Sequence, residues 1–255
     1  MKNNKSLGQH WLKNREILDQ IALLSCPKIS KRACLEIGPG LGTLTSSLLK
    51  HFPEVIAVEF DQKLAENLPK SFPGKNLKVI NEDILKFDLN TIATPYVVAG
   101  NIPYYITSPI ITKLLTSENK PEKIVLLIQK EVAERIAAVV GHHTFLSLFV
   151  QNFASVELGP VVGREEFTPP PKVDSQVIIL TPLKTPQISE KVLNFAKIGF
   201  SSPRKKLTAN LATFYHLDKQ ELKQTLISLD LNPDCRPSDL THQDWQRLYA
   251  VVSNR

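Results

Sequence analysis

The stretch that decides the fold runs from residue 33 to residue 45 and reads ACLEIGPGLGTLT. Its first part, Ala33–Ile37, is mostly apolar and predicts a buried β-strand. The glycines at 38, 40 and 42 then predict a tight turn that opens a helix, where the backbone can approach a ligand because no side chain blocks it. Similar turns bind dinucleotide phosphates in dehydrogenases, so the turn alone does not identify the ligand.

On both sides of this turn the chain alternates short apolar runs with helical patterns, which predicts an α/β fold with a parallel sheet and crossover helices. The predicted strands are Ala33–Ile37, Val55–Glu59, Leu77–Ile80, Tyr96–Gly100, Lys123–Ile128, Phe149–Val156 and Ser175–Leu180. The predicted helices between them are Gly42–Lys50, Gln62–Leu68, Pro109–Leu115 and Glu131–Val140.

The pattern changes after Leu180. The segment TPLKTPQ at 181–187 contains two prolines and predicts a linker. Beyond it the apolar residues follow helical spacing, as in Trp245, Leu248 and Val252. We therefore predict two domains, a catalytic domain over residues 1–183 that includes an N-terminal arm and a small all-helical domain over residues 184–255.

Charge is distributed unevenly along the 255 residues. The net charge of +6 divides into +5 for residues 1–32, −3 for residues 33–183 and +4 for residues 184–255. Basic ends around a slightly acidic centre are typical of a catalytic core with flanks that bind a polyanion, although Lys-rich surfaces can also serve solubility alone. No apolar run is long enough to span a membrane and no signal peptide is evident, so we expect a cytoplasmic protein. The three cysteines lack metal-ligand spacing, and we expect neither zinc nor a disulfide.

Two carboxylates follow later strands and favour adenosine over a dinucleotide. Glu59 ends the second predicted strand and is suited to hold ribose hydroxyls. Asp83 follows the third strand and is suited to an adenine amino group. Because Pro39 lies within the turn and the pattern departs from GxGxxG, the expected ligand is an adenosine whose 5′ substituent is an amino acid.

The tetrapeptide Asn101-Ile102-Pro103-Tyr104 ends the fourth predicted strand and supplies the chemistry. The exocyclic nitrogen of adenine is a poor nucleophile, so a site that methylates it must accept its N–H hydrogens. The Asn101 side-chain oxygen and the Ile102 carbonyl can do so, while Tyr104 can stack on the base. Each residue alone could be an ordinary turn or core residue, but together with the glycine turn they indicate methyl transfer to a planar amine.

A third segment, FTPPPKVDS at 167–175, contains three consecutive prolines that predict a stiff, extended rail. Such a rail could present Phe167 to the opposite face of a flipped base. Phe167 could equally be a core residue of a loop.

The motifs SLGQHWL, EIGPGLGTLT, VEFD, NEDIL, GNIPYYITSP, LIQKEVAERI, FTPPPKVDS and FSSPRKKLTANL resemble those of the ribosomal RNA adenine dimethyltransferase family. The resemblance implies a Rossmann-like class I methyltransferase fold, with a seven-stranded, mostly parallel sheet and a small all-α C-terminal domain. It implies S-adenosylmethionine as the cofactor, held by His10, Leu12, Gly38, Glu59, Asp83 and Asn101. It further implies that the base is contacted by Asn101, Tyr104 and Phe167.

The same resemblance implies a partner and a reaction. The partner is small-subunit rRNA within an immature 30S particle, where two adjacent adenosines near the 3′ end are dimethylated at N6 by a monomeric enzyme without metal or membrane. The basic segment Arg204-Lys205-Lys206 is a candidate phosphate contact or a solvated face.

Other hypotheses stay open at this stage. One is an erythromycin-resistance type enzyme that acts on large-subunit (23S) rRNA. Another is a DNA adenine or protein glutamine methyltransferase, although both tend toward a second proline where Ile102 lies. A third is an assembly factor in which catalysis is secondary.

Overall fold

The glycine turn follows an interior strand of a seven-stranded sheet in the computed structural model, which describes residues 10–26 and 32–253. The strands are β1 Trp11–Leu12, β2 Ala33–Ile37, β3 Glu54–Glu59, β4 Leu77–Asn81, β5 Tyr96–Asn101, β6 Lys123–Gln129, β7 Ala154–Val162, β8 Phe167–Thr168 and β9 Ser175–Pro182. The helices are α1 Arg15–Ser25, α2 Thr43–Leu48, α3 Gln62–Asn67, α4 Thr107–Thr116, α5 Lys130–Ile136, α6 Phe145–Phe153, α7 Glu190–Gly199, α8 Leu207–Tyr215, α9 Lys219–Ser228 and α10 His242–Val252.

The large sheet has the strand order β4-β3-β2-β5-β6-β9-β7. Strands β2 to β6 pair in parallel, and β9 runs antiparallel to β6. The chain winds from β2 outward through β3 to β4, then returns to β5 on the other side of β2. Ligands of such sheets bind where the strand order reverses, at the carboxyl ends of the strands. The predicted Rossmann-like class I fold, with a seven-stranded and mostly parallel sheet, is confirmed.

Apart from β7, the predicted strands agree with the structure to within two residues at either end. The predicted strand Phe149–Val156 is wrong in its first half, because Phe145–Phe153 is a helix and the strand begins at Ala154. Thr144 begins this helix with a capping box to Ser147. Phe149 packs against Phe145 and Phe153, which lie one helical turn away on either side, with ring centroids 6.4 Å and 5.1 Å apart. A short apolar run suits either a strand or a buried helix, and here these helical contacts decide between them.

The chain forms two units, residues 1–134 with 155–182 and residues 135–154 with 183–255. This division differs from the predicted boundary at 183 in one respect: residues 135–154 join the helical unit. The reason is that Leu148 of α6 belongs to the buried apolar core of that unit, together with Phe195 and Trp245. Within the helical unit, Thr241 and Asp244 form a capping box at the start of α10, and the side chain of Asp218 caps α9.

The first unit buries a separate core beneath the sheet. Leu18 and Ile21 of α1 pack there with Val97 of β5 and Val125 of β6. Burial of such side chains stabilises a fold by about 1.5–3 kcal/mol each, so the sheet is a firm support for the loops at its carboxyl edge. No helix within residues 10–26 and 32–253 is long and apolar enough to cross a bilayer.

Candidate active site

A cavity of about 220 Å³ opens at the carboxyl ends of β2 and β5, where the strand order reverses. Most of the residues predicted for the cofactor and the base lie on its wall. The cavity-lining residues that were predicted from sequence are His10, Gly38, Glu59, Asp83, Asn101 and Tyr104. The fold therefore brings together side chains that are separated by more than ninety positions in the chain.

The glycine turn forms one wall of this cavity and is covered by Trp11. Gly40 has a φ of +58°, and a Cβ atom there would lie 3.1 Å from Nε1 of Trp11. A side chain at position 40 would thus strain the backbone and press on the indole. The space that the glycine leaves is filled by Trp11, so the N-terminal arm and the turn form one surface.

Glu59, at the end of β3, fixes the geometry of the turn. Its Oε2 accepts a hydrogen bond from the backbone N–H of Gly40 at 3.0 Å, and its Oε1 accepts one from Asp61 N–H at 2.9 Å. Burial raises the pKa of the Glu59 carboxyl, while these two N–H donors oppose the increase. Each oxygen retains a lone pair, so the carboxylate can accept further hydrogen bonds from a diol.

Asp83 begins a turn after β4. Its Oδ1 accepts from Leu85 N–H at 2.9 Å, and its backbone carbonyl accepts from Lys86 N–H at 2.8 Å. Because one carboxylate oxygen is held by its own turn, the other can face a ligand. This geometry agrees with the predicted contact to an adenine amino group, which stays a prediction.

Asn101 has a defined amide orientation. Its Nδ2 donates to the backbone carbonyl of His10 at 3.0 Å. A carbonyl can only accept, so the nitrogen must face His10 and the Oδ1 oxygen must point away from it. The arm thereby orients the oxygen that can accept a hydrogen bond from an amine at the end of β5.

Tyr104 is held from two sides. Its hydroxyl shares a hydrogen bond of 2.6 Å with Oγ of the fully buried Ser175 in β9. Its ring is stacked with that of His10, with centroids 6.0 Å apart, and His10 Nδ1 lies 2.7 Å from the Pro169 carbonyl. Burial raises the pKa of the Tyr104 phenol. Ser175 was not predicted as a site residue, because 71 positions separate it from Tyr104 and no local pattern connects them.

Two predicted site residues lie in the core instead of on the cavity wall. Leu12 is fully buried and Phe167 is 2% exposed, and the two are paired between β1 and β8. Neither is among the residues that line the cavity in this structure. Their predicted contacts, Leu12 with the cofactor and Phe167 with the base, stay predictions. Residues 6–9 of the predicted arm lie outside the described residues.

Glu36 is a cavity residue whose importance was not predicted. It is buried beside Thr45, and neither carboxyl oxygen has a hydrogen-bond partner in the part of the chain that the structure describes. Burial raises the pKa of Glu36 to about 8, Thr45 opposes this increase, and the charge of Glu59 adds to it. The sequence did carry a signal, since a carboxylate interrupts the otherwise apolar strand Ala33–Ile37.

We expect Glu36→Gln to change how stability depends on pH in the absence of cofactor. Between pH 4.5 and about 8 the unfolded chain ionises Glu36 while the folded protein keeps it protonated, so stability falls as pH rises. Glutamine cannot ionise, and the variant is expected to lack this decrease, which is at most about 1.4 kcal/mol per pH unit. Urea unfolding at pH 6, 7 and 8 measures it, with the exposed Glu118→Gln as control. If the free energy of unfolding changed with pH equally in the wild type and in Glu36→Gln, the prediction would be contradicted.

A parallel sheet with a glycine turn, an acidic residue after each of two strands and an oriented asparagine amide defines a class I methyltransferase acting on a planar amine. The family model described as "Ribosomal RNA adenine dimethylase" matches residues 1–252. The chain belongs to this family, and it is an S-adenosylmethionine-dependent rRNA adenine methyltransferase.

Individual relatives agree with this assignment. The chain is 41% identical to "Ribosomal RNA small subunit methyltransferase A" of Nostoc sp., over 97% of both chains. It superimposes on a dimethyladenosine transferase from Plasmodium falciparum with a TM-score of 0.80 and 31% identity, covering 95% of this chain and 97% of the other. It superimposes on the 23S rRNA methyltransferase ErmE with a TM-score of 0.74, covering 95% and 99%, but at 24% identity this likeness reports the fold alone.

The residues present fit S-adenosylmethionine. Glu36 lines the cavity and its carboxyl has no hydrogen-bond partner within residues 10–26 and 32–253, and a Cβ atom at Gly38 would meet nothing within 4 Å, so a ligand would find an unused polar group and open space there. Glu59 would hold the ribose and Asp83 the adenine, while Gly38 would allow close approach of the backbone. When bound, this cofactor supplies a methyl group activated by a sulfonium. The protein must then position the amine, which needs orientation more than a strong base.

Proposed function

We propose that this chain transfers methyl groups to N6 of two adjacent adenosines near the 3′ end of 16S rRNA, within small subunits that are still being assembled, and that it acts as a cytoplasmic monomer. The observation that carries the proposal is the Asn101 amide, whose oxygen is directed away from the arm beside the ring of Tyr104. An acceptor next to an aromatic ring suits the amino edge and the face of adenine. The small-subunit target is supported by relatives that are named as small-subunit methyltransferases, such as the one from Nostoc sp..

The experiment that tests this function uses small subunits from cells that lack the enzyme. Incubation with the purified protein and S-adenosylmethionine labelled in its methyl group is expected to label 16S rRNA, and nucleoside digestion is expected to yield dimethyladenosine. Naked 23S rRNA, DNA and mature small subunits are the controls. Label that appears only in 23S rRNA would favour the erythromycin-resistance type of enzyme instead.

A basic surface of the helical unit supports RNA binding. We call it the basic cup; it lies between the loop before α8, the first turns of α9 and the turn at 234–236. Its charged lining residues are Arg204, Lys205, Lys206, Lys219, Lys223, Asp234 and Arg236. Lys206 pairs with Asp234 at 2.8 Å and Lys223 lies 3.7 Å from the same oxygen. Six cations and one carboxylate therefore line the cup. The excess of positive charge suits phosphates of a nucleic acid backbone.

We expect the double variant Lys205→Gln/Lys219→Gln to bind immature small subunits about tenfold more weakly at about 150 mM salt. The slope of log K against log salt concentration is expected to become shallower by roughly 0.7–0.9 for each phosphate contact that is lost. The affinity for S-adenosylhomocysteine is expected to stay unchanged, because both lysines belong to the helical unit. Filter binding at several salt concentrations measures the change. Lys191→Gln, an exposed lysine of α7 outside the cup, serves as the control. An equal loss in the control would contradict a specific role of the cup.

A further inference from the structure

Lys113 is a charged residue of α4 that is directed at the backbone of the Asp83 loop. Its Nζ donates to the carbonyl oxygen of Leu85 at 2.9 Å and to that of Phe87 at 2.5 Å. These bonds connect positions 26 and 28 residues apart. Hydrogen bonds with a charged donor are stronger than neutral ones, so Lys113 is a substantial constraint on the loop.

The two carbonyls belong to the turn that orients Asp83. The Leu85 N–H donates to Oδ1 of Asp83, while the Leu85 carbonyl accepts from Lys113. The backbone N–H of Phe87 donates to the Asp83 carbonyl, while the Phe87 carbonyl accepts from Lys113. Lys113 therefore holds two of the three residues whose N–H groups bond Asp83, the third being Lys86.

The helix that carries Lys113 is itself well anchored. Its residues Ile110, Ile111, Leu114 and Leu115 are all buried in the core. The helix begins at Thr107, directly after the Tyr104–Ile106 turn of the NIPY segment. A rigid helix thus joins the segment that handles the base to the loop that faces the cofactor.

Electrostatics also favours this arrangement. Partial burial lowers the pKa of the Lys113 ammonium, but the carboxylates of Asp83, Glu82 and Asp88 oppose the decrease. The ammonium group is therefore placed in the acidic environment of the same loop. Three nearby acids and two carbonyls account for why a partly buried cation is tolerated here.

We propose that Lys113 is a positioning residue for the cofactor, which holds the 83–87 loop so that Asp83 presents its second carboxylate oxygen to the cavity. Lys113 does not line the cavity, so it acts through the loop and not by contact. The inference rests on the S-adenosylmethionine dependence of the family and does not depend on which adenosines are methylated.

The test is calorimetric binding of S-adenosylhomocysteine to the purified protein without RNA. Lys113→Met keeps the aliphatic stem and removes both hydrogen bonds, and we expect the Kd to rise about tenfold. Lys113→Arg keeps a charged donor and is expected to restore the Kd to within about threefold. In steady-state assays Lys113→Met should raise KM for S-adenosylmethionine and leave kcat at saturation nearly unchanged.

Lys86→Met is the matched control. Lys86 lies in the same loop and is exposed, and its side chain makes no hydrogen bond or ion pair among residues 10–26 and 32–253. The substitution Lys86→Met removes one positive charge near Asp83 but leaves the hydrogen bonds to the Leu85 and Phe87 carbonyls intact. The Kd of this variant for S-adenosylhomocysteine is therefore expected to stay within about twofold of the wild type. If Lys113→Met does not fold, Lys113→Gln, which keeps a shorter neutral donor, is measured in its place with a rise of several-fold expected.

Three results would overturn the proposal. The first is an unchanged Kd in Lys113→Met or in its substitute Lys113→Gln. The second is an equal rise in Lys86→Met, which would show a general charge effect. The third is a loss in Lys113→Met that Lys113→Arg does not reverse. Because no RNA is present, these outcomes are independent of the proposed 16S target.

Discussion

Asn101→Ala is expected to lower kcat for methyl transfer roughly 100-fold or more while leaving the affinity for immature small subunits nearly normal. The reason is that the Asn101 oxygen is oriented by the bond from Nδ2 to the His10 carbonyl and is thereby available to accept from the adenine amine. The amide is neutral and lines the cavity, so we do not expect it to contribute to contacts with phosphates. Single-turnover methylation and filter binding on the same preparation separate the two effects.

Asn90→Ala is a suitable control, since Asn90 is exposed and remote from the cavity lining. The Asn101→Ala protein should also bind S-adenosylhomocysteine more weakly if the amide contacts the cofactor, as predicted. A strong loss of RNA affinity, or wild-type kcat, would contradict the catalytic assignment.

The same variant addresses the hypothesis of an assembly factor. When Asn101→Ala is expressed in cells that lack the enzyme, the absence of dimethyladenosine together with full recovery of growth would show that methylation is not the essential output. Incomplete recovery, equal to that of the deletion, would show that the methyl groups themselves matter.

Glu59→Gln is expected to weaken binding of S-adenosylhomocysteine roughly 30- to 100-fold. Both carboxylate oxygens accept from backbone N–H groups, Oε2 from Gly40 and Oε1 from Asp61. In glutamine one of these oxygens is replaced by an NH₂ group. That group would face the backbone N–H of Gly40 or Asp61, and because both are donors the hydrogen bond would be lost. The glycine turn would then shift, and the ribose hydroxyls would lose a charged acceptor.

Isothermal titration of Glu59→Gln measures this change, and hydrogen exchange of the Gly40 amide reports on the turn directly. Glu54→Gln is the matched control, because Glu54 begins the same strand at the end opposite to the cavity. Comparable affinity in Glu59→Gln and the wild type would mean that the carboxylate does not hold the cofactor.

The predicted site residues Glu59, Asp83 and Asn101 all lie on the cavity wall, at or just after the ends of parallel strands. Glu59 and Asn101 end β3 and β5, and Asp83 follows β4 by two positions. Apolar periodicity locates such strands, and all carboxyl ends of a parallel sheet meet at one edge. The convergence of these residues therefore needed no knowledge of side-chain packing.

The residues that were missed depend on contacts that a local pattern does not carry. Lys113 and Ser175 act through hydrogen bonds to positions 26 to 71 residues away. The helix at Phe145–Phe153 was misassigned in its second half because its contacts within the helical unit, and not its apolar run, distinguish it from a strand. Phe167 was predicted to contact the base from its place in a proline rail; pairing with Leu12 buries it in this structure, and the contact stays a prediction.

The amino-acid sequence by itself determined the α/β class, the glycine turn and the acidic residues that follow the strands, because strand periodicity and glycine conformations are local properties of the chain. Only the tertiary structure decided which way the Asn101 amide faces, what holds Tyr104 and why the pKa of Glu36 is raised. These features arise from burial and from hydrogen bonds between distant segments, His10 with Asn101 and Tyr104 with Ser175, which form only when the sheet has brought the segments together.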